Sequence, residues 1–379
     1  MLFKTTESSL IFVNDFAYTL AYMKSLNSSE KNRAILLALG AALLAGANAP
    51  LAKLLLGSID PLYLAALLYL GCGSGVYLFR WLRKTTQKGE AAEAGLERED
   101  IPWLAGATLA GGVAAPIVML FSLRGTPAAT ASLLLNFEAV ATTLIAWLAF
   151  REAVSRNAWW AVAAITSASI FLSLETGSGW GISIGALGIL MAGVLWGLDN
   201  NFTRNVSAKN PLEIVMIKGL AAGTVSLVVA ALSGRPVPEV RDVLWALGMG
   251  AVSYGMGIVL YVLAQRGLGA ARTSALFSAS PLAGVTMSLI IFGDAPLIKL
   301  GAALPLVLLG TILLVIEQHG HSHAHARAHH SHAHNHDDPH HNHTHNGKSP
   351  ERHAHPHDHE ALFHDHPHMP DTHHRHTHE

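Results

Sequence analysis

From residue 34 to residue 316 the chain is a succession of apolar stretches, each about as long as the ~20 residues that carry a helix across a bilayer. Read between charges and turn residues, ten windows emerge, near 34–56, 61–82, 102–123, 128–150, 157–175, 183–204, 212–233, 243–265, 270–292 and 297–316. Inside lipid every backbone polar group needs a partner within its own segment, and stretches of this length without polar–apolar alternation meet that need as helices, not barrel strands. Composition agrees, since 13% charged residues is far below the roughly 25% of a soluble domain. The expected fold class is an all-α integral membrane protein with ten transmembrane helices. The formal net charge of −1 says little about partners; the lipid bilayer is the expected one, and no nucleic acid is expected.

Short loops rich in Lys and Arg stay on the cytoplasmic side. With the N-terminus inside, that side collects Arg80, Arg83, Lys84, Lys88, Arg98, Arg151, Arg156, Arg204, Lys209, Arg266 and Arg272, against Arg124, Arg235, Arg241 and Lys299 opposite. Both termini are then cytoplasmic, in the plasma membrane (the inner membrane of a bacterium). Ahead of the first window, residues 1–33 hold only a short apolar run, Leu10 to Tyr22, broken by Asn14 and Asp15. That run lacks the pattern of a signal peptide and reads as an interfacial or disordered extension, or as sequence upstream of a true start at Met23. Cys72 is the sole cysteine and lies in an apolar stretch, so it reads as packing.

The chain also repeats itself. An offset of 142 residues lays Trp103 on Trp245, Gly106 on Gly248, Arg124-Gly125 on Arg266-Gly267, Ser132 on Ser274, Phe150 on Phe292 and Glu152 on Asp294. Asp60-Pro61-Leu62 matches Asn210-Pro211-Leu212 with a slightly larger shift, so each half holds five spans. An odd number of spans per repeat turns the halves opposite ways across the membrane, a transporter signature that places the substrate site at the repeat interface near mid-membrane. The expected organisation is a first repeat at 34–176, a second at 177–318 and a tail at 319–379.

The doubled pattern resembles the drug/metabolite transporter superfamily in its EamA-like branch. The resemblance rests on Ala128 to Val140, Phe150-Arg-Glu152 and Trp159 in the first copy, and on Ala270 to Leu282 with Phe292-Gly-Asp294 in the second. Pro281 keeps a proline the family usually shows, where the first copy has Ala139. The resemblance implies a ten-helix carrier of small metabolites, amino acids, nucleotide sugars or drugs, many moved outward. It does not name a solute.

Polar residues inside spans are the site candidates, because an ionisable group at the membrane centre costs roughly 2.5–3.5 kcal/mol on insertion scales. Glu138 stands deep in the fourth window with Asn136 two positions before it. A carboxylate there is costly to ionise, which suits a proton-coupled step; pairing with Lys53, Lys218 or an arginine to lock helices together is the alternative. Lys53, on a face with Asn48, either lines the path or snorkels to the interface. Lys218 lies further inside its span, where snorkelling is harder. Asp199 and Asn200, with Asn201 and Arg204, either coordinate a polar solute or end the sixth span. Tyr69, Trp196, Tyr254 and Tyr261 line an apolar cavity or pack at an interface. Glu152 and Asp294 read as caps or gate-loop residues. Catalysis is not supported: no nucleophile elbow, Walker loop or body histidine is present.

All 24 histidines fall between His319 and His378. His319, His321, His323, His325, His332, His334, His336, His353, His355, His357 and His359 alternate with other residues in a tail too polar to build a core, which reads as disordered. Neutral imidazoles bind Zn, Ni, Co and Cu, and a flexible tract can gather several. No cofactor is required by the body; a transition metal held by the tail is the one implied. The expected function is export of a small organic metabolite or amino acid, with a metal-binding tail. Divalent-metal efflux and a membrane-anchored metal buffer without transport stand as alternatives, and a homodimer is an open partner.

Overall fold

The computed structural model describes residues 28–86, 94–150, 154, 156–176, 180–207, 209–268, 273, 276–277, 279–293, 297–315, 319–325, 328–335, 352–359 and 362–368. Caps written in the sequence start two equivalent helices. Asp60 Oδ1 accepts the Leu62 N–H at 3.0 Å ahead of Pro61, and Asn210 Oδ1 accepts those of Leu212 and Glu213 at 3.0 and 3.3 Å ahead of Pro211. Proline at the first helical position lacks an N–H that would be unpaired anyway. These are the matched tripeptides of the two repeats, so the duplication is one of local structure as well as of sequence.

In the first repeat the spans are α1 (Ser28–Leu55) and α2 (Pro61–Thr86), then α3 (Ile101–Ala107) joined through a π-helical turn (Thr108–Ala114) to α4 (Ala115–Leu123). The fourth span is split into α5 (Ala128–Leu134) and α6 (Phe137–Phe150), and α7 (Arg156–Ser173) is the fifth. The second repeat has α8 (Ile184–Arg204), α9 (Pro211–Leu232), α10 (Val240–Met249), a second π-helical turn (Gly250–Met256) and α11 (Gly257–Leu268). It ends with α12 (Ser280–Phe292) and α13 (Leu297–Val315). Each expected window falls on a helix, and among the described residues six helical stretches are long and apolar enough to cross a membrane. Most of 270–279, the start of the ninth window, lies outside the described residues, as do residues 1–27, Glu152 and Asp294. A short hairpin of β1 (Leu174–Thr176) and β2 (Trp180–Ile182) joins the repeats around the glycine-rich loop.

Packing is crossed between the halves. The first span of each repeat lies against the third and fourth spans of the other: α1 on α11 and α12, α8 on α4 and α6. The second spans, α2 and α9, pack together, as do the fifth, α7 and α13. Small residues allow the α2–α9 approach. A Cβ on Gly73 would stand 2.6 Å from the Leu220 backbone nitrogen, and one on Gly219 would stand 2.7 Å from that of Gly73. Close backbone approach through small residues is how helices associate in lipid, where tails compete for apolar contact.

Loop contacts respect the alternation of ten spans. Asp60, after the first span, meets Arg124, after the third, at 3.6 Å and Arg235, after the seventh, at 3.8 Å. Lys209, after the sixth, meets Glu97 at 2.9 Å and Asp100 at 3.7 Å, both between the second and third. Odd loops meet odd and even meet even, as five spans per repeat requires.

From its composition the tail reads as disordered. Its described residues run as four strands, β3 (His319–His325) antiparallel to β6 (Leu362–His368) and β4 (Ala328–Asn335) antiparallel to β5 (Arg352–His359). Alternation every second residue, which looks like low complexity, is also the period of a strand. The register pairs His319, His321 and His323 with His368, His366 and His364, and His330, His332 and His334 with His357, His355 and His353.

Candidate functional site

The fourth span breaks because Asn136 offers its backbone a competing partner. Its side-chain amide donates to the carbonyls of Ser132 and Leu133 at 3.4 and 3.3 Å. The N–H groups of Asn136, Glu138 and Ala139 reach back three residues, to Leu133, Leu135 and Asn136, each at 3.1 Å. α5 therefore stops at Leu134, and Glu138 enters on the first turn of α6. Irregular backbone at membrane depth is tolerated where it lines a cavity, and broken helices build carrier binding sites.

Such a cavity exists, about 780 Å³ in volume, with α1, α2, α4, α6, α8 and α12 among the helices around it. That is within the roughly 300–1,000 Å³ of small-molecule sites. Residues related by the 142-residue offset converge on it: Met119 and Tyr261, Leu135 and Phe277, Glu138 and Ser280, Ala139 and Pro281. The space therefore lies at the interface of the repeats.

Glu138 is the only acid or base other than tyrosine among the described lining residues. Asn200 donates from Nδ2 to Glu138 Oε1 at 2.8 Å and to Thr142 Oγ1 at 3.1 Å. No salt bridge to Glu138 is found among the described residues; its hydrogen-bond partner there is Asn200. Lys218 is committed elsewhere. Its Nζ lies 2.5 Å from Asp199 Oδ1 and 3.2 Å from Thr203 Oγ1, with the lysine and aspartate side chains 15% and 12% exposed. Lys53 donates to the Thr126 carbonyl, in the loop after the third span, so its stem takes the charge toward the membrane boundary.

The π-helical turns lie one repeat apart, Thr108–Ala114 and Gly250–Met256. A π turn releases carbonyls from the α-helical ladder and marks functional sites often. In the first, Gly111 O accepts the Tyr69 hydroxyl at 2.8 Å and the Trp196 indole N–H at 3.0 Å. In the second, Ser253, the counterpart of Gly111, donates to Leu44 O at 2.8 Å. Both turns tie a third span to neighbouring helices beside the cavity.

Of the residues singled out in the sequence, Asn48, Asn136, Glu138, Trp196, Asn200, Tyr69, Tyr254 and Tyr261 come together at the cavity. Lys53, Asp199 and Lys218 do not line it. The expected Asp199–Asn200–Asn201 cluster divides: Asp199 turns to Lys218, Asn200 to the cavity, and Asn201 to the carbonyls of Thr142 and Gly197 at 3.1 and 2.8 Å. Successive helical residues point about 100° apart, which adjacency in sequence conceals. Sequence reasoning missed Thr142, Thr143, Phe277, Ser280 and Thr311. Thr142 stands one helical turn after Glu138, and Phe277 and Ser280 sit at the repeat offset from Leu135 and Glu138, so two signals were available.

Comparison with known proteins agrees with this architecture. A 28% identical relative from Methanothermobacter thermautotrophicus (strain Delta H), described as an uncharacterized transporter, aligns over 285 residues, 71% of this chain and 82% of its own. One solved crystal structure superposes with a TM-score of 0.51 at 20% identity, over 74% of this chain and 96% of its own, a likeness of fold. The EamA-like transporter family model matches residues 32–174 and again 183–316, one match on each five-span repeat. With a duplicated all-α membrane body, a cavity where the duplicates meet, and both halves matched, this chain belongs to the EamA-like transporter family and is a transporter, not an enzyme.

Proposed function

We propose that the protein is a secondary carrier that exports a small organic metabolite or amino acid across the plasma membrane, using Glu138 to couple that movement to protons. The observation that carries this reading is the repeat-interface cavity with a single carboxylate among its described lining residues, whose hydrogen-bond partner there is a neutral amide, Asn200. A carboxylate in such surroundings is costly to leave charged and alone, so proton and solute alternate as its partner. Crossed packing of the first spans on the opposite repeat supports a rocking exchange of access around a fixed site. Both termini face the cytoplasm. The test is solute uptake and efflux in sealed vesicles under an imposed pH gradient. Wild type drives solute against its gradient, whereas Glu138→Gln retains exchange without pH coupling or loses transport; pH-independent transport by both proteins rejects the coupling.

The tail serves as a cytoplasmic metal-binding module, buffering Zn, Ni, Co or Cu or regulating the carrier. The register supports this, since each ladder pairs histidines of one strand with histidines of the other at alternate positions, and imidazole is a preferred ligand of these metals. Equilibrium dialysis with nickel and zinc, comparing the full chain with a truncation after Gln318, tests it. The full chain binds several ions and the truncation none; equal binding by both overturns it.

A further inference from the structure

The cavity has a charge and a shape beyond what a generic solute carrier needs. Its one acid or base other than tyrosine is Glu138, and no lysine, arginine or histidine is among the described lining residues. The nearby Lys218 does not line the cavity and is hydrogen-bonded to Asp199 at 2.5 Å. A second observation points the same way. Asn48 Oδ1, on a residue lining the same cavity, is buried and has no hydrogen-bond partner among the described residues. A buried acceptor without a donor is costly to leave unmade, so the missing group is an N–H or O–H donor.

Aromatic rings supply the rest of the wall. Tyr69 and Tyr254 lie with ring centroids 6.0 Å apart, and Tyr261 and Phe277 meet edge-on at 5.0 Å. The Tyr69 hydroxyl is already given to Gly111 O, so this ring presents its face and edge more than its polar tip. Faces of aromatic rings attract cations and pack apolar bodies. A ligand that brings N–H donors, a positive charge and an apolar body meets every one of these groups. A carboxylate-bearing ligand meets Glu138 with like charge and finds no counter-ion among the described lining residues.

We propose that the cavity selects organic ammonium ions, small protonated amines with an aromatic or apolar body, with Glu138 and Asn48 receiving the ammonium and the rings of Tyr69, Tyr254 and Tyr261 holding the body. This rests on the carrier reading above and narrows its solute.

The experiment uses full-length protein in proteoliposomes and three probes sharing one ring: tyramine as the cation, tyrosine as the zwitterion and 4-hydroxyphenylpropionate as the anion. Saturable counterflow of tyramine, at least about tenfold preferred over the other two, is expected from a charge-assisted contact. Glu138→Gln weakens tyramine by about tenfold or more and Asn48→Leu by roughly threefold, while Glu138→Asp, which keeps the charge, recovers part of the loss. Elution profile and thermal unfolding verify that each variant is folded. A preference for tyrosine or the anion, or tyramine transport indifferent to Glu138→Gln, overturns the ammonium assignment while leaving a carrier in place. No saturable movement of any of the three probes also overturns it, and a wider solute panel then decides the fate of the carrier reading separately.

Discussion

The two repeats share a backbone and divide the chemistry. Each has a π-helical turn in its third span, at Thr108–Ala114 and Gly250–Met256, and each contributes Met119 or Tyr261, Leu135 or Phe277, to the same wall. The charges within the described parts of their membrane spans are not duplicated. Glu138 of the first repeat has Ser280 as its counterpart in the second, and the largely buried Lys218–Asp199 pair belongs wholly to the second repeat. Doubling of shape builds a cavity between equivalent helices; singleness of charge gives that cavity a polarity and, in the proposed mechanism, its coupling group. A carrier needs both, and here they come from different layers of the sequence.

The largest test of this division concerns the ion pair. Lys218→Met strands the Asp199 carboxylate inside the helix bundle, which costs about 3–5 kcal/mol for a buried pair. The double variant Lys218→Met with Asp199→Leu removes both charges and recovers most of the loss. Thermal unfolding of the purified chain across this double-mutant cycle measures the coupling. Single and double variants of equal stability would mean that the pair is screened and that the second repeat carries no special charge. The next effect is steric. Gly111 packs so closely on Asp199 that a Cβ would overlap its carboxylate, so Gly111→Ala costs about 1–3 kcal/mol, the range for overpacking. Its counterpart Ser253 is not packed on a charge, and Ser253→Ala loses one hydrogen bond, worth about 1 kcal/mol.

At the cavity itself the contrast is between equivalent positions. Glu138→Gln abolishes pH coupling and weakens an ammonium probe by about tenfold, whereas Ser280→Ala, at the offset position, changes transport by less than about threefold, as expected for a neutral hydroxyl. Similar effects at both positions would show that the repeats share the chemistry after all. Thr142→Val is milder. It removes one of the two acceptors that hold the Asn200 amide, an effect of about 1 kcal/mol, read as a rise in KM with kcat nearly unchanged.

How much of this was legible beforehand follows the same line. Spans, caps and duplication were legible because they rest on local rules: about 20 apolar residues, Asp or Asn before proline, a constant offset of 142 residues. Glu138, Asn136 and Asn48 were legible because polar groups in lipid are expensive. What the sequence hid was direction. Asp199 and Asn200 are neighbours in the chain, yet one neutralises Lys218 and the other faces the cavity. The π turns were hidden too, since nothing in Thr-Leu-Ala-Gly-Gly-Val-Ala or Gly-Ala-Val-Ser-Tyr-Gly-Met sets those helical residues apart from their neighbours. In the tail, His-X-His serves equally as a mark of low complexity and as strand periodicity, so the sequence alone does not distinguish the two.

The smallest expected effect on transport comes from the longest deletion. The cavity, both π turns, the ion pair and the crossed packing all lie within Ser28–Val315, and the family match ends at residue 316. Removing everything after Gln318 therefore leaves solute transport within about twofold of the full chain, since surface segments away from a site change function little, while nickel and zinc binding falls to background. Adding metal separates the tail's two roles: a buffer leaves the full chain's transport unchanged, and a regulator changes it in the full chain but not in the truncation. If truncation itself halts solute movement, the two repeats are not sufficient, and the division of labour between a doubled body and its single charge has to include the histidines as well.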